Sequence, residues 1–267
     1  MVTTDFINNM STFASNIMAT TIVYPLDTIR IRKQLDEEPL YNRKALYKAY
    51  PAGILRQITY SSPNLIFFRK LNEQYKKKHG EQEPTLMMKT FFGSLSGATA
   101  GLLGNPAEAI MVRSIKDSQY QNIFHSIRTI YAQNQWKGFF NGVVPMSLRC
   151  GVYNAGRLPI YSETKNYIQQ HYPSQKGSVL SHSIAAFSGS FVGIIASNPL
   201  DVIKSRMQGN TQKRSIQEII AEILQKDGMQ GFYRGLMASF FKSGPHSIFS
   251  FIFAEQLSLL LTGKEMF

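Results

Sequence analysis

The sequence predicts an all-α membrane protein: six transmembrane helices in three pseudo-three-fold repeats around a central cavity. Three observations lead there. Apolar segments close to the roughly 20 residues that a bilayer span needs recur at Thr85–Pro106, Ser178–Pro199 and Ser243–Leu261. One proline-and-charge pattern occurs three times, each time closing an apolar stretch. Strand-like alternation is not evident anywhere in the chain.

The repeat sets the organisation. "YPLDTIRIRKQ" (Tyr24–Gln34) and "NPLDVIKSRMQ" (Asn198–Gln208) share the layout Pro-x-acid-x-x-base-x-Arg-x-Gln, and "NPAEAIMVRSI" (Asn105–Ile115) keeps Pro106, Glu108 and Arg113. In that third copy Met111 replaces the base and Ile115 the glutamine. The prolines are 81 and 93 residues apart. A second landmark follows each copy: "RQITYSSPNLIFF", "RCGVYNAGRLPIY" and "KSGPHSIFSFIFA" align without gaps, each opening on a cation. The chain therefore reads as a single domain of three units, 1–80, 81–173 and 174–267, each a helix, a loop segment and a second helix. "SIRTIYAQNQWKG" and "SIQEIIAEILQKDGMQG" read as amphipathic loop helices in the second and third units. The first unit has only "LDEEPLYNRKA" in that place, a shortened loop. Mean hydropathy is only −0.16, which suits helices lining a water-filled cavity better than a lipid-filled bundle. Gly, Ser and Ala in the apolar segments suit close helix packing.

Pro25, Pro106 and Pro199 each remove a backbone hydrogen bond and kink a helix. Beside each proline sit an acid and, in two units, a base: Asp27 with Arg30, Glu108 alone, and Asp201 with Lys204. Charges at membrane depth are costly unless paired. Three-fold symmetry lets each helix offer its acid to one neighbour and its base to the other, which closes one end of the cavity as a gate. The second landmark places Arg56, Arg149 and Lys242 at equal depth around the same axis, with Tyr60, Tyr153 and His246 four residues on. Three unpaired cations at such a place call for an anion, and two arginines with a lysine fit a small dianion with a carboxylate at each end. Arg157, whose equivalent in the first unit is Asn64, is a further candidate for the cavity wall.

Composition agrees with an anionic partner. Basic residues outnumber acidic ones 29 to 17, for a net charge of +12. The basic charge is interspersed with membrane-length apolar segments, so nucleic acid is not the expected partner. No nucleotide-binding glycine loop or hydrolase motif is found, so no catalytic residue is assigned and the chain is not expected to be an enzyme. Five scattered histidines offer no metal site, and one cysteine excludes an internal disulfide. The N-terminus has no cleavable address, so any organelle address is expected within the chain.

On these residues the chain resembles the mitochondrial carrier family over essentially its whole length, and most of all the family's dicarboxylate and 2-oxoglutarate/malate members. "AGILRQITYSS", "NPAEAIMVRS" and "SGPHSIFSFIFAEQ" are similar to their second, third and sixth helices. The resemblance implies a multi-pass protein of the mitochondrial inner membrane with both termini in the intermembrane space. It implies exchange of malate, succinate or 2-oxoglutarate by alternating access, with no cofactor beyond structural cardiolipin. In the family's scheme Arg30 meets Asp201, Lys204 meets Glu108, Asp27 is left without a base because Met111 stands there, and Gln34 and Gln208 brace the gate. Tyr233, Arg234 and Gly235 keep the lipid-binding motif, of which Gly142 is a remnant in the second unit.

Three departures qualify that picture. Of the gate at the opposite end, only Lys165 and Glu255 remain as remnants, with Arg69 where an acid belongs. Asn64 stands where the oxoglutarate type has an arginine. The first loop lacks its helix. The alternatives are a carrier fold kept as a structural subunit of a larger inner-membrane, respiratory complex, or a carrier of another anion or of protons.

Overall fold

The computed structural model describes residues 2–38, 42–80, 82, 84–117, 122–172, 179–210 and 214–262; within them the side chains of 2–9, 12, 65, 179–180, 182–183, 247, 251, 255, 258 and 261–262 are not described. The described chain is helical, without strands. Helix α1 (Val2–Gln34) is followed by α2 (Arg43–Leu46), α3 (Tyr50–Arg56), a π turn (Gln57–Ser61) and α4 (Ser62–Lys78). Next come α5 (Leu86–Lys116), α6 (Ile123–Gly138) and α7 (Val143–His171). Last are α8 (Val179–Gly209), α9 (Ile216–Asp227), a 3-10 turn (Gly228–Tyr233) and α10 (Leu236–Thr262). Six long rods result, with α3, the π turn and α4 forming one of them. Each packs on the next in chain order, and α10 returns to pack along α1, so the rods form a ring.

Helix α1 runs through Pro25, α5 through Pro106 and α8 through Pro199. A proline frees the carbonyl four residues earlier. In α1 that is Thr21, whose oxygen accepts the Tyr47 hydroxyl at 3.0 Å. Tyr47 and Tyr50 pack on Tyr24, which is fully buried. In α5 and α8 the residue before the proline is asparagine, and Asn105 and Asn198 donate to the carbonyls of Phe139 and Phe232, at 2.7 and 2.8 Å. These bonds tie each odd-numbered rod to the chain entering the next one. The entry glycines have left-handed backbone, Gly142 at φ 84° and Gly235 at φ 77°. The equivalent in the first unit is Ala49, whose φ of −95° needs no glycine.

The second rod is broken where the sequence reading expected one plain helix. Pro63 lacks a backbone donor, and the turn before it widens to π geometry directly after Arg56. The wide turn brings Tyr60 against α5: a Cβ at Gly104 would lie 2.5 Å from Tyr60 Cβ. Between α7 and α8 glycines again permit close approach, with a Cβ at Gly189 falling 2.6 Å from the Arg157 carbonyl oxygen.

The loop helices form as expected. Ser215 and Glu218 make a reciprocal capping box at the start of α9. Asn122 caps α6 by accepting from His125 N at 2.8 Å. Among the described residues the first loop holds only α2. Among the described residues one helical stretch, Ile184–Gly209, is long and apolar enough to cross a membrane by length and composition; glycines, serines and charges keep the other rods below that threshold. Large apolar side chains stand exposed on the outer faces of the rods, among them Ile22, Ile58, Leu102, Leu103, Phe187, Phe241 and Ile252.

Candidate functional site

The proline signatures converge inside the ring as a knot of ion pairs. Lys204 Nζ lies 2.7 Å from Glu108 Oε1, the contact that the pairing scheme implies, with both side chains 3% exposed. The other pairs differ from that scheme. Asp27, expected to lack a base, holds three: Arg30 at 2.9 Å, Arg56 at 3.2 Å and Lys242 at 3.0 Å. Arg30 was expected on Asp201. It lies instead on the acid one helical turn before it in α1, where i,i+3 residues are neighbours. Asp201 takes Arg149 at 3.3 Å and Lys204 at 3.9 Å.

Arg56, Arg149 and Lys242 are therefore not unpaired cations, as the sequence reading had them. The cause lies in the third signature. Met111 is fully buried at the position occupied by a base in the other two units, and with no base there Asp27 gathers cations from α3 and α10. The ion pairs fall into two sets. One joins α1, α3 and α10 around Asp27; the other joins α5, α7 and α8 around Glu108 and Asp201. The second set balances two acids with two bases, whereas the first sets three cations against one carboxylate. The knot as a whole carries an excess of two positive charges, all of it around Asp27.

The remaining candidates flank this knot. Tyr60 OH lies 3.4 Å from the sulfur of buried Cys150, linking the π turn to α7. His246 Nε2 and Thr20 Oγ1 are 3.2 Å apart, and Gln57 donates to the same Thr20 hydroxyl. Arg157 stands 5.8 Å over the Tyr153 ring. Asn64 faces α5, with Oδ1 4.0 Å from where a Cβ of Gly97 would be. The two glutamines are buried. Gln34 Oε1 accepts from Ser205 Oγ at 2.8 Å, and Gln208 Nε2 donates to Asn105 Oδ1 at 3.1 Å. Arg234 pairs with Asp36 and, at 2.6 Å, with Asp227, beside half-exposed Tyr233. Lys165 is partly buried on α7, and the side chain of Glu255 lies outside the described residues.

Sequence reasoning gave no role to Arg113, although the arginine of the repeat was in plain view. Arg113 caps the end of α8, with Nε donating to Gln208 O at 3.1 Å and a terminal nitrogen to Asn210 O at 2.5 Å. Arg32 donates likewise to Ile115 O at the end of α5, at 3.0 Å. These bonds satisfy helix-end carbonyls that have no partner within their own helix. They also lock consecutive units together.

The family model described as mitochondrial carrier protein matches residues 82–172 and 175–265. The chain belongs to the mitochondrial carrier family. Members of this family are transporters, and similar curated proteins include the mitochondrial 2-oxoglutarate/malate carrier protein of Mus musculus, 27% identical over 90% of this chain and 86% of that protein. Others are the probable mitochondrial 2-oxoglutarate/malate carrier protein of Dictyostelium discoideum (26%, over 92% and 87%) and the mitochondrial citrate transporter F of Aspergillus niger (26%, over 91% and 86%). The cargoes named for these three relatives are small anions.

Proposed function

We propose that this carrier exchanges small dicarboxylates, of the malate, succinate and 2-oxoglutarate class, across the mitochondrial inner membrane by alternating access. The observation that carries the reading is the excess of two positive charges around Asp27. A dianion neutralises that excess, which a monoanion leaves half unmet. Arg56 and Lys242 reach Asp27 from two different rods, so a substrate carboxylate that takes either cation loosens the α1–α3–α10 cluster at the same time. Arg149 on the opposite rod offers a second carboxylate its partner, in exchange for Asp201. Substrate binding and opening of the knot are then one event, a differential interaction of the kind that a shift between two states requires. Six spans in three repeats, with both termini in the intermembrane space, are part of this proposal. The apolar outer faces and the charged interior of the ring support it.

The test is uptake of labelled malate into liposomes that hold the purified protein and are preloaded with 2-oxoglutarate, malate, phosphate or nothing. Exchange that needs an internal dicarboxylate and collapses in Arg149→Ala supports the reading. Absence of exchange with every anion, from folded protein, refutes it. That result would favour the second reading, a carrier fold retained as a structural subunit, for which the shortened first loop and the absence of an acid at Arg69 speak.

A further inference from the structure

We infer that the ring opens asymmetrically: the first and second units move as one body, and the knot parts when the end of α8, with α9, swings away from them. The inference rests on reading the knot as an opening gate, and it is independent of the cargo. Where α1 meets α5 the seam is apolar. Tyr24, Ile31 and Leu35 share one buried cluster with Ile110, Met111 and Ile115, into which α3 and α6 also pack. This cluster spans both units. The other buried cluster, Val202 and Ile203 of α8 with Ile219 and Ile223 of α9, belongs to the third unit alone. Met111 makes the difference, because a base in its place would charge the seam between α1 and α5.

The seams between α8 and these two rods are polar. Among the described residues, every ion pair of the knot that joins two units has a third-unit partner: Lys204 with Glu108, Asp201 with Arg149 and Lys242 with Asp27. Ser205 donates to Gln34 at 2.8 Å and Gln208 to Asn105 at 3.1 Å; Leu35, beside Gly209, marks the edge of the apolar cluster. The seam to α1 is the weaker of the two. Arg32 caps the end of α5 and Arg113 the end of α8, and by the same rule Arg206 would cap the end of α1. Instead it turns to Glu222 and Asp227 of its own unit, at 3.6 and 3.3 Å. Asp36 ties α1 to the third unit in its stead, paired with Lys226 and Arg234, whose side chains are 60% and 31% exposed. Exposed pairs are weak and screened by salt. A polar seam trades its partners for water or a substrate as it opens, whereas an apolar seam must surrender its buried surface to water. The exchanges that a dicarboxylate makes, with Lys242 leaving Asp27 and Arg149 leaving Asp201, both release the third unit. Away from the knot α8 keeps a pivot on α7, where a Cβ at Gly193 would lie 2.9 Å from Tyr153 O. Pro199 stands between this contact and the charged end of α8.

The experiment measures three distances in liposomes by double electron–electron resonance. Spin labels are placed two at a time on Arg43→Cys in α2, Arg128→Cys in α6 and Gln225→Cys in α9, all exposed positions, in a Cys150→Ser background. Helix α2 reports on α1, because Thr28 donates to Leu46 O at 2.8 Å. Helix α6 reports on α5, with the Ser114 and Ser126 hydroxyls 2.9 Å apart. The gate is loosened mildly by Asp36→Asn, and strongly by Asp36→Asn with Glu108→Gln/Lys204→Gln. In both, the distances from position 225 to the other two labels are expected to gain a longer component, larger in the triple variant, while the 43–128 distance keeps its original distribution. Asp36→Asn alters one partly exposed side chain and decides the matter alone if the triple variant fails to fold. Lengthening of all three distances together, lengthening of the 43–128 distance, or no change in any of them overturns the inference. Malate exchange by the unlabelled, unmodified chain is scored separately. Distances that respond as expected without exchange keep the inference and sink the cargo reading; exchange without that response does the reverse.

Discussion

Asp27→Asn tests the reading of the knot most sharply. Asp27 is 2% exposed, and the cations on it are 12–15% exposed. Removing its charge leaves three cations facing one another with no carboxylate between them. Breaking a buried pair by deleting one partner costs about 3–5 kcal/mol. At about 2–4 °C per kcal/mol for a chain of this size, the unfolding temperature of the purified variant should fall by roughly 6–20 °C. A dicarboxylate that supplies the missing charge should then act as a replacement. At about 100 times its dissociation constant a ligand adds about 2.7 kcal/mol, which returns roughly 5–11 °C. The assay is thermal unfolding of both proteins in detergent with succinate, with acetate at equal ionic strength and with neither. Succinate should raise the variant more than the unmodified protein, where Asp27 competes for the same cations. A variant that is no less stable, or that acetate restores as well as succinate does, would refute the reasoning.

Three further outcomes follow from particular contacts. Lys204→Ala leaves Glu108 buried without its base and should cost about 3–5 kcal/mol, and the double variant Glu108→Gln/Lys204→Gln should recover at least half of that, read as unfolding temperatures. Gly104→Ala should destabilise the chain by about 1–3 kcal/mol, because its Cβ meets Tyr60 Cβ at 2.5 Å and Tyr60 Cα at 3.0 Å, whereas Gly151→Ala inside α7, whose nearest neighbour is 3.8 Å away, should stabilise it by about 0.5–1 kcal/mol. Gln135 adopts φ 51° and ψ −149°, a backbone region suited to glycine, and Gly228 occupies the equivalent place in the third unit at φ 61°. Gln135→Gly should therefore stabilise the protein by about 1 kcal/mol in the same assay.

Much of the architecture was legible because it is written three times. The signature prolines, the acids beside them and the offset cations place themselves by repetition, and the missing loop helix shows as a missing stretch of sequence. The pairing was not legible. Which base an acid takes depends on a few ångströms between rods, and sequence spacing does not report those. The absent base at Met111 was visible, but its consequence was misread: an acid without its own base is not left bare in a crowded interior, and cations from neighbouring rods turn to it. The π turn escaped for another reason. Pro63 has no counterpart in the other two units, so the repeat offered no comparison. Arg113 was read as part of a pattern, and its role as a cap became apparent only with the end of α8 beside it.

The central claim is that two excess positive charges around Asp27 select the cargo. Its most direct test is a series of labelled anions of similar size with one, two and three carboxylates, offered to liposomes preloaded with malate. The account predicts fastest exchange for the dicarboxylate, and a shift of preference toward the monocarboxylate in Lys242→Gln, which removes one of the two charges. Equal rates along the series, or a dicarboxylate preference that Lys242→Gln leaves intact, would contradict it.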